Sequence, residues 1–164
     1  MATFSHSIGY PFAQEPPTPF SAPSQGFLYE VSLRTPLYSQ WLKELPGFHR
    51  LLQTLFQGEL LGQYELVDLV VWPEGLFVRL SLKGSSSLSD FLTYLKERTV
   101  PAGEPSFDYW VAEPQWLRLV PPERFEESER HFLSILQRHQ AEMIDMAPAS
   151  PGLFFYYRNQ WHAS

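Results

Sequence analysis

The sequence predicts an α+β fold of the ferredoxin-like type, an antiparallel sheet with two helices packed on one face. Segments of strand and helix periodicity follow one another in the order β-α-β-β-α-β, and a further helical segment comes after them. A turn at Glu74–Gly75 joins two of the strand segments directly, as adjacent antiparallel strands require. These observations together favour one mixed domain with a C-terminal helix and an aromatic tail.

Residues 27–83 contain three strand candidates and one helical region. Phe27–Arg34 alternates and is rich in strand-forming residues, so it is the first strand candidate. Apolar residues recur at helical intervals through Leu37–Gln57, and Pro46–Gly47 predicts a division into a short and a longer helix. Tyr64–Trp72 and Leu76–Lys83 are the second and third strand candidates.

The second half begins with a capped helix. Ser87 is a plausible N-cap for a helix that runs through Arg98. Phe107–Val111 and Gln115–Val120 are short strand candidates, and Pro121–Pro122 introduces a helix from Glu123 to about Glu142. Leu153–Tyr157 is an aromatic, strand-like run near the C-terminus.

The chain divides into three parts. Residues 1–26 contain five of the fifteen prolines and one charged residue, Glu15, which predicts a flexible, proline-rich arm. Residues 27–147 form the α+β domain, because 164 residues suffice for one domain with a core and are too few for two. Residues 148–164 form the aromatic tail.

Composition excludes several function classes. Twelve Lys and Arg against eighteen Asp and Glu give a net charge of -6, which opposes indiscriminate polyanion binding but permits a local basic strip. The absence of cysteine excludes disulfides, thiolate zinc sites and a cysteine nucleophile, and suits a reducing cytoplasm. Leu66–Trp72, the longest candidate for a membrane span, is interrupted by Asp68 and is far shorter than the roughly 20 apolar residues that a span needs. We therefore expect a cytoplasmic protein without membrane contact.

Three blocks of the sequence resemble a known family. Leu69–Leu80 (LVVWPEGLFVRL) resembles the strand-turn-strand of the IS200-like tyrosine transposases, including the REP-associated ones, which carry V-M-P-N-H-V-H-L-L there. Ser87–Ser89 with Leu95–Lys96 is similar to that family's S-L-S … L-K helix, and Phe125–Phe132 is similar to its F-E … R-Y-I helix. The resemblance covers about residues 26–145 and implies the same α+β fold.

The family's catalytic positions are changed in this chain. In the family, two histidines flanking one apolar residue bind a divalent metal, and a tyrosine on the late helix attacks a phosphate of single-stranded DNA. The matching positions here are Gly75, Phe77 and His131. The resemblance therefore implies a relative that kept the scaffold and lost the mechanism, and we expect no catalytic residue, no metal site and no cofactor.

Two other patterns contain residues that catalysis could use. His131 lies four residues after Glu127 on one helix face, a spacing that predicts an exposed ion pair rather than an oriented catalytic imidazole. Tyr156–Gln160 resembles the tyrosine-then-glutamine run around the nucleophile of other members of the superfamily, but it follows Pro151–Gly152 rather than a helix. We interpret that likeness as chance.

The first function hypothesis is binding of single-stranded or hairpin DNA or RNA without cleavage. Arg79 and Lys83 are expected to share a strand face with Phe77, on which a base could stack. The candidate binding residues are Phe77, Arg79, Lys83, Lys96 and Arg98.

The alternative hypothesis is a protein-interaction module that acts as a homodimer, as family members commonly do. In a tail strand, Phe154 and Tyr156 should point one way and Phe155 and Tyr157 the other, so that both faces are bulky and need a cover. A second subunit or the proline-rich arm would supply the second cover. A third hypothesis is an active DNA-nicking transposase with a displaced nucleophile.

Overall fold

The fold is built on one antiparallel sheet of five strands. The computed structural model describes residues 28–146 and 153–159, so the predicted arm, residues 1–26, lies outside the described residues. The strands are β1 (Leu28–Arg34), β2 (Tyr64–Trp72), β3 (Gly75–Leu82), β4 (Trp116–Val120) and β5 (Phe155–Arg158). The helices are α1 (Leu45–Leu60), α2 (Leu88–Thr99) and α3 (Phe125–Met146), with 3₁₀ turns at Ser106–Asp108 and Pro122–Arg124.

The strand order confirms the predicted fold class. The strands lie in the order β4-β1-β3-β2-β5, and every neighbouring pair is antiparallel. The first four strands with α1 and α2 form the βαββαβ unit, in which β3 lies between β1 and β2. Strand β5 extends the sheet at the β2 edge.

Helices α1 and α2 pack on one face of the sheet, as predicted. Alternate strand residues such as Leu69 and Val71 are buried there against apolar side chains of both helices. Helix α2 begins at the predicted N-cap: the Asp90 amide donates to Ser87 Oγ (3.1 Å), and the Ser87 amide donates to the Asp90 carboxylate (2.9 Å). This reciprocal pair is a capping box with aspartate in the N3 position.

The prediction that Pro46–Gly47 divides the α1 region was wrong. A single helix starts at Leu45 and contains Pro46 in its first turn. Proline is well accommodated there because the first helical amides need no intrahelical partner. The preceding residues 37–44 form turns rather than a helix.

Helix α3 covers the opposite face of the sheet. Val70, Trp72 and Phe77, whose side chains alternate with those of the α1–α2 face, form a second buried cluster with Phe132 and Leu136 of α3. The sheet is therefore sandwiched between two helices on one side and one on the other.

The aromatic tail is an integral strand of the sheet. Phe155 and Tyr157 are buried in the α1–α2 core, and Phe154 and Tyr156 in the α3 cluster, so the predicted alternation is confirmed. The inference that a second subunit or the arm must cover one face was wrong. Helices of the same chain cover both faces, because β5 lies between the α1–α2 layer and α3.

The predicted strand at Phe107–Val111 was also wrong. Ser106–Asp108 forms a 3₁₀ turn, and Tyr109 and Trp110, which follow it, both pack against Trp41. The buried Trp110 donates its indole N–H to Thr99 Oγ1 (2.9 Å), and its ring meets Trp41 edge-on at 5.1 Å between centroids. The aromatic residues suggested a strand, but they serve to anchor a loop.

None of the helices described here has the length and the apolar character needed to cross a membrane.

Candidate nucleic-acid interface

A row of charged side chains crosses the α3-facing side of the sheet. The strand registers place Arg118 opposite Glu30, Glu30 opposite Arg79, Arg79 opposite Asp68, and Asp68 opposite Arg158. One residue comes from each strand, and the sign of the charge alternates from β4 to β5. We call this set the charge row.

The inner members of the charge row are buried and paired. Asp68 accepts hydrogen bonds from Arg79 and, at 2.8 Å, from Arg158 Nε. Arg118 donates to Glu30 through Nε (3.0 Å) and Nη2 (3.1 Å). Charges can be buried in this way only when each has opposite charges and hydrogen bonds around it.

Helix α3 closes over the charge row with its own polar side chains. The Ser128 hydroxyl accepts from Arg79 Nε (2.9 Å) and donates to Glu30 Oε2 (2.5 Å). Glu127 accepts from Arg118 (2.7 Å) and Glu129 from Arg158 (2.6 Å). The first turns of α3 are therefore held to the sheet by polar contacts, whereas its middle is held by apolar ones.

Glu30 remains ionised in this environment. Burial raises the pKa of the Glu30 carboxyl, but hydrogen bonds from Arg118, Ser128 and Trp116, together with the nearby His131, outweigh burial and lower the pKa below its usual value. The ionised Glu30 carboxylate therefore holds both the Trp116 indole and the His131 imidazole in position.

His131 does not form the predicted ion pair with Glu127. Its Nδ1 atom lies 3.1 Å from Glu30 Oε1, whereas Glu127 binds Arg118 and Arg124. The spacing argument treated the helix as isolated, and the carboxylate of the neighbouring strand lies within reach instead.

Phe77 and His131, which the resemblance matches to two catalytic positions of the family, contact each other in the structure. The rings of Phe77 on β3 and His131 on α3 contact each other edge-to-face, with centroids 5.2 Å apart. Trp116 on β4 meets the His131 ring at 5.1 Å. Aromatic side chains thus occupy positions 77 and 131, which the resemblance matches to a metal-binding histidine and to the tyrosine nucleophile of the family.

An open cleft of about 250 Å³ lies beside these rings. Its lining residues are Ser32, Trp72, Phe77, Gln115, Trp116, His131, Ile135 and Arg138. Trp116 is 42% exposed, and its indole N–H donates to Glu30 Oε1 (2.9 Å), which holds the ring in place. The cleft therefore offers a fixed aromatic surface to a planar ligand.

The far end of the cleft is also aromatic. Trp72 stacks on His139 with ring centroids 3.8 Å apart. Burial lowers the pKa of the His139 imidazole, which favours the neutral ring in that stack.

The two residues that the resemblance matches to the family's metal-binding histidines do not fit a metal ion. Gly75 has no side chain, and Phe77 has no ligand atom. A Cβ atom at Gly75 would lie 2.3 Å from the Leu33 carbonyl oxygen, so a histidine would not fit without movement of β1. Within residues 28–146 and 153–159, no group of three or more His, Asp or Glu side chains is placed to hold a metal.

The predicted binding residues do not form one surface. Phe77 is fully buried beneath the cleft, and Arg79 is fully buried in the charge row, so neither has an exposed face. Lys96 and Arg98 lie on α2, on the opposite side of the sheet, where Lys96 donates to the Ala112 carbonyl (3.2 Å). Lys83 follows the end of β3.

Sequence reasoning missed one cation that lines the cleft and another that lies on the same face of the sheet. Arg138 on α3 lines the cleft and is exposed. Arg34 is exposed and lies two residues beyond Ser32 on β1, which places it on the same sheet face. The helical spacing of Arg138 from His131, seven residues or about two turns, was the signal that could have identified it.

Comparison with known proteins supports the fold. No protein-family model matches the sequence, and no curated protein sequence does either. A solved structure of a REP-associated tyrosine transposase bound to a REP hairpin is similar over 79% of this chain and 78% of that one, with a TM-score of 0.56 and 14% sequence identity. The chain therefore has the fold of a REP-associated tyrosine transposase, the IS200-like family that its sequence resembles.

Proposed function

We propose that this chain is a transposase-like domain that binds single-stranded or hairpin nucleic acid and does not cleave it. The observation that carries the proposal is the aromatic cleft between β3, β4 and α3, with Trp116 exposed and fixed in orientation. Bases stack on such rings with little dependence on sequence. The structurally similar transposase is bound to a REP hairpin, which makes a hairpin the first ligand to test.

Charge around the cleft is compatible with this ligand despite the net charge of -6. Arg138 lines the cleft, and Arg34 lies on the same sheet face. Phosphates on either side of a stacked base would meet these two guanidinium groups. The acidic remainder of the chain confines binding to this site and opposes binding elsewhere.

The lack of cleavage rests on the residues at the family's catalytic positions. Gly75 and Phe77 cannot ligate a metal, and His131 replaces the tyrosine. The alternative of a displaced tyrosine nucleophile finds no support at Tyr156 or Tyr157, which are both fully buried. Burial also raises the pKa of the Tyr157 phenol, which opposes its activation as a nucleophile.

A homodimeric interaction module remains the alternative function. The aromatic tail gives no support to a dimer, because α1, α2 and α3 of the same chain cover both faces of β5. What favours it is the edge strand β4, where Leu117 and Leu119 are about half exposed. A second copy could pair with this edge.

Fluorescence anisotropy with a labelled DNA hairpin that carries a short unpaired extension tests the proposal. We expect binding at low salt, and Trp116→Leu should weaken it by about 1–3 kcal/mol, the contribution of one stacked base. Phe107→Leu is the matched control, because Phe107 is 67% exposed and lies away from the cleft. Thermal melts of each variant confirm that the fold is kept.

Two results would contradict the proposal. One is no binding at the lowest salt concentration. The other is nicking of the extension by wild-type protein with magnesium or manganese, which would establish a nuclease instead.

A further inference from the structure

The outer edge of β4 carries an uncovered apolar strip on the α1–α2 side of the sheet. Leu117 and Leu119 are 50% and 52% exposed, and they point to that side because they lie opposite Val31 and Tyr29 of β1. Tyr29 itself is only partly buried. We call Leu117, Leu119 and Tyr29 the edge strip.

An edge of this kind normally has a cover. Sheet edges with exposed apolar residues invite pairing with other chains, and proteins protect them with charges, prolines or a covering segment. The single charged residue of β4, Arg118, points to the other face and is engaged by Glu30 and Glu127. Within the described residues, no other strand lies outside β4.

The N-terminal segment enters the fold next to this strip. Leu28 is the first residue of β1, and its pairing partner is Val120, the last residue of β4. Leu28, the first residue that the structure describes, is therefore one strand spacing from the end of β4. Strand β4 is five residues, roughly 17 Å, and the 27 preceding residues can extend several times that length.

The chemistry of that segment matches the strip. Residues 1–27 contain a single charged residue, Glu15, and five aromatic residues: Phe4, Tyr10, Phe12, Phe20 and Phe27. Five prolines remove backbone donors, so the segment is better suited to lie with its side chains on an apolar surface than to add a regular strand.

We propose that residues 10–23 of the same chain dock on the edge strip and cover Leu117 and Leu119. Tethering keeps the segment at an effective concentration in the millimolar range, which a second molecule reaches only in concentrated solution. A dimer through two five-residue edges would also be small against the roughly 800 Å² that each partner of a stable interface buries. The docked segment closes the sheet edge and keeps the domain monomeric.

The absence of cysteine permits a direct test in the full-length chain. A nitroxide is attached at Ser21→Cys and, in a separate sample, at Thr18→Cys, and methyl NMR signals of Leu117 and Leu119 are recorded. We expect loss of both signals with either label and their recovery when the nitroxide is reduced. The cysteine-free wild type, treated with the same nitroxide reagent, is the control and should keep both signals.

A mixed sample distinguishes the possible occupants. Nitroxide-labelled chains without isotope are mixed with isotope-labelled chains without nitroxide. Unchanged Leu117 and Leu119 signals in the mixture, together with a monomer by light scattering, support the proposal. Signal loss in the mixture, a dimer, or intact signals with both arm labels would overturn it.

A second measurement does not depend on the labels. The melting temperature is compared for Leu119→Ser, Phe20→Ser and the double variant. Contact between the segment and the strip predicts that the double variant melts no lower than the worse single variant. Additive losses would contradict docking.

Discussion

At Gly75, strands β1 and β3 approach so closely that the position has no room for a side chain. An added Cβ atom would lie 2.3 Å from the Leu33 carbonyl oxygen and 3.1 Å from the Arg34 Cα atom. Both are backbone atoms at the end of β1, where it pairs with the first residue of β3, and they cannot rotate away as a side chain can. Replacing Gly75 by a metal-binding histidine would therefore also require the β1 backbone to move.

Gly75→Ala should therefore destabilise the fold. We expect a loss of about 1–3 kcal/mol in the free energy of unfolding, typical of overpacking a closed site. Chemical denaturation measures it, with Ser89→Ala on the exposed side of α2 as the control expected to change little. An equally small change for both variants would show that β1 can move aside.

The ionisation of Glu30 should give the protein an acid-sensitive component of stability. The folded state lowers the pKa of this carboxyl from 4.5, so the unfolded chain binds its proton first as the pH falls. The stabilisation is complete above the unfolded pKa and is lost as the pH falls through the folded pKa.

The comparison of wild type with Glu30→Gln isolates this effect. At neutral pH we expect the variant to be less stable by about 3–5 kcal/mol, because Arg118 and His131 lose a buried carboxylate. The difference should shrink below pH 4.5. Denaturation midpoints from neutral to acid pH provide the measurement, with Glu97→Gln on the exposed face of α2 as control. A difference that does not change with pH would contradict the assignment.

The failed prediction at Glu127 and His131 has a physical cause at this scale. Spacing along a helix identifies neighbours on the helix surface, but it contains no information on the strand beneath. Glu30 is buried and accepts hydrogen bonds from Arg118, and its contact with His131 depends on how α3 packs against the sheet.

Strand and helix elements were largely predictable from periodicity, whereas the charge row was not. The bounds of β2 and the capped start of α2 agree with the sequence analysis, because alternation and a capping residue are local signals. The charge row depends on register across five strands and on an irregularity between Leu66 and Asp68, which keeps Asp68 opposite Arg79. The only sign of the charge row in the sequence was the presence of charged residues in the middle of apolar strands.

Removal of strand β5 should damage the fold, although β5 lies at the edge of the sheet. A chain truncated after residue 152 loses Phe154–Tyr157 from both buried clusters and the Arg158 partner of Asp68. We expect it to lose its cooperative thermal transition. Circular dichroism of the truncated and full-length chains is the measurement, and a truncated chain that melts as sharply and at the same temperature would contradict this role for β5.

For the whole molecule, the central question is where an acidic protein would hold a polyanion. The sequence suggested Arg79, Lys83, Lys96 and Arg98, but the fold buries the first and distributes the others away from the cleft. The structure instead places Trp116 and Arg138 at one opening. The candidate interface could not be predicted because it joins β4 and α3, whose relative placement is set by long-range packing.

The salt dependence of hairpin binding tests the central claim most directly. The logarithm of the affinity should fall linearly with the logarithm of the salt concentration, and Arg138→Ala should reduce that slope by about 1, the effect of losing one phosphate contact. Arg98→Ala, an exposed arginine on α2, should leave the slope unchanged. A slope near zero for the wild type, or a slope reduced by Arg98→Ala and not by Arg138→Ala, would contradict binding at the cleft.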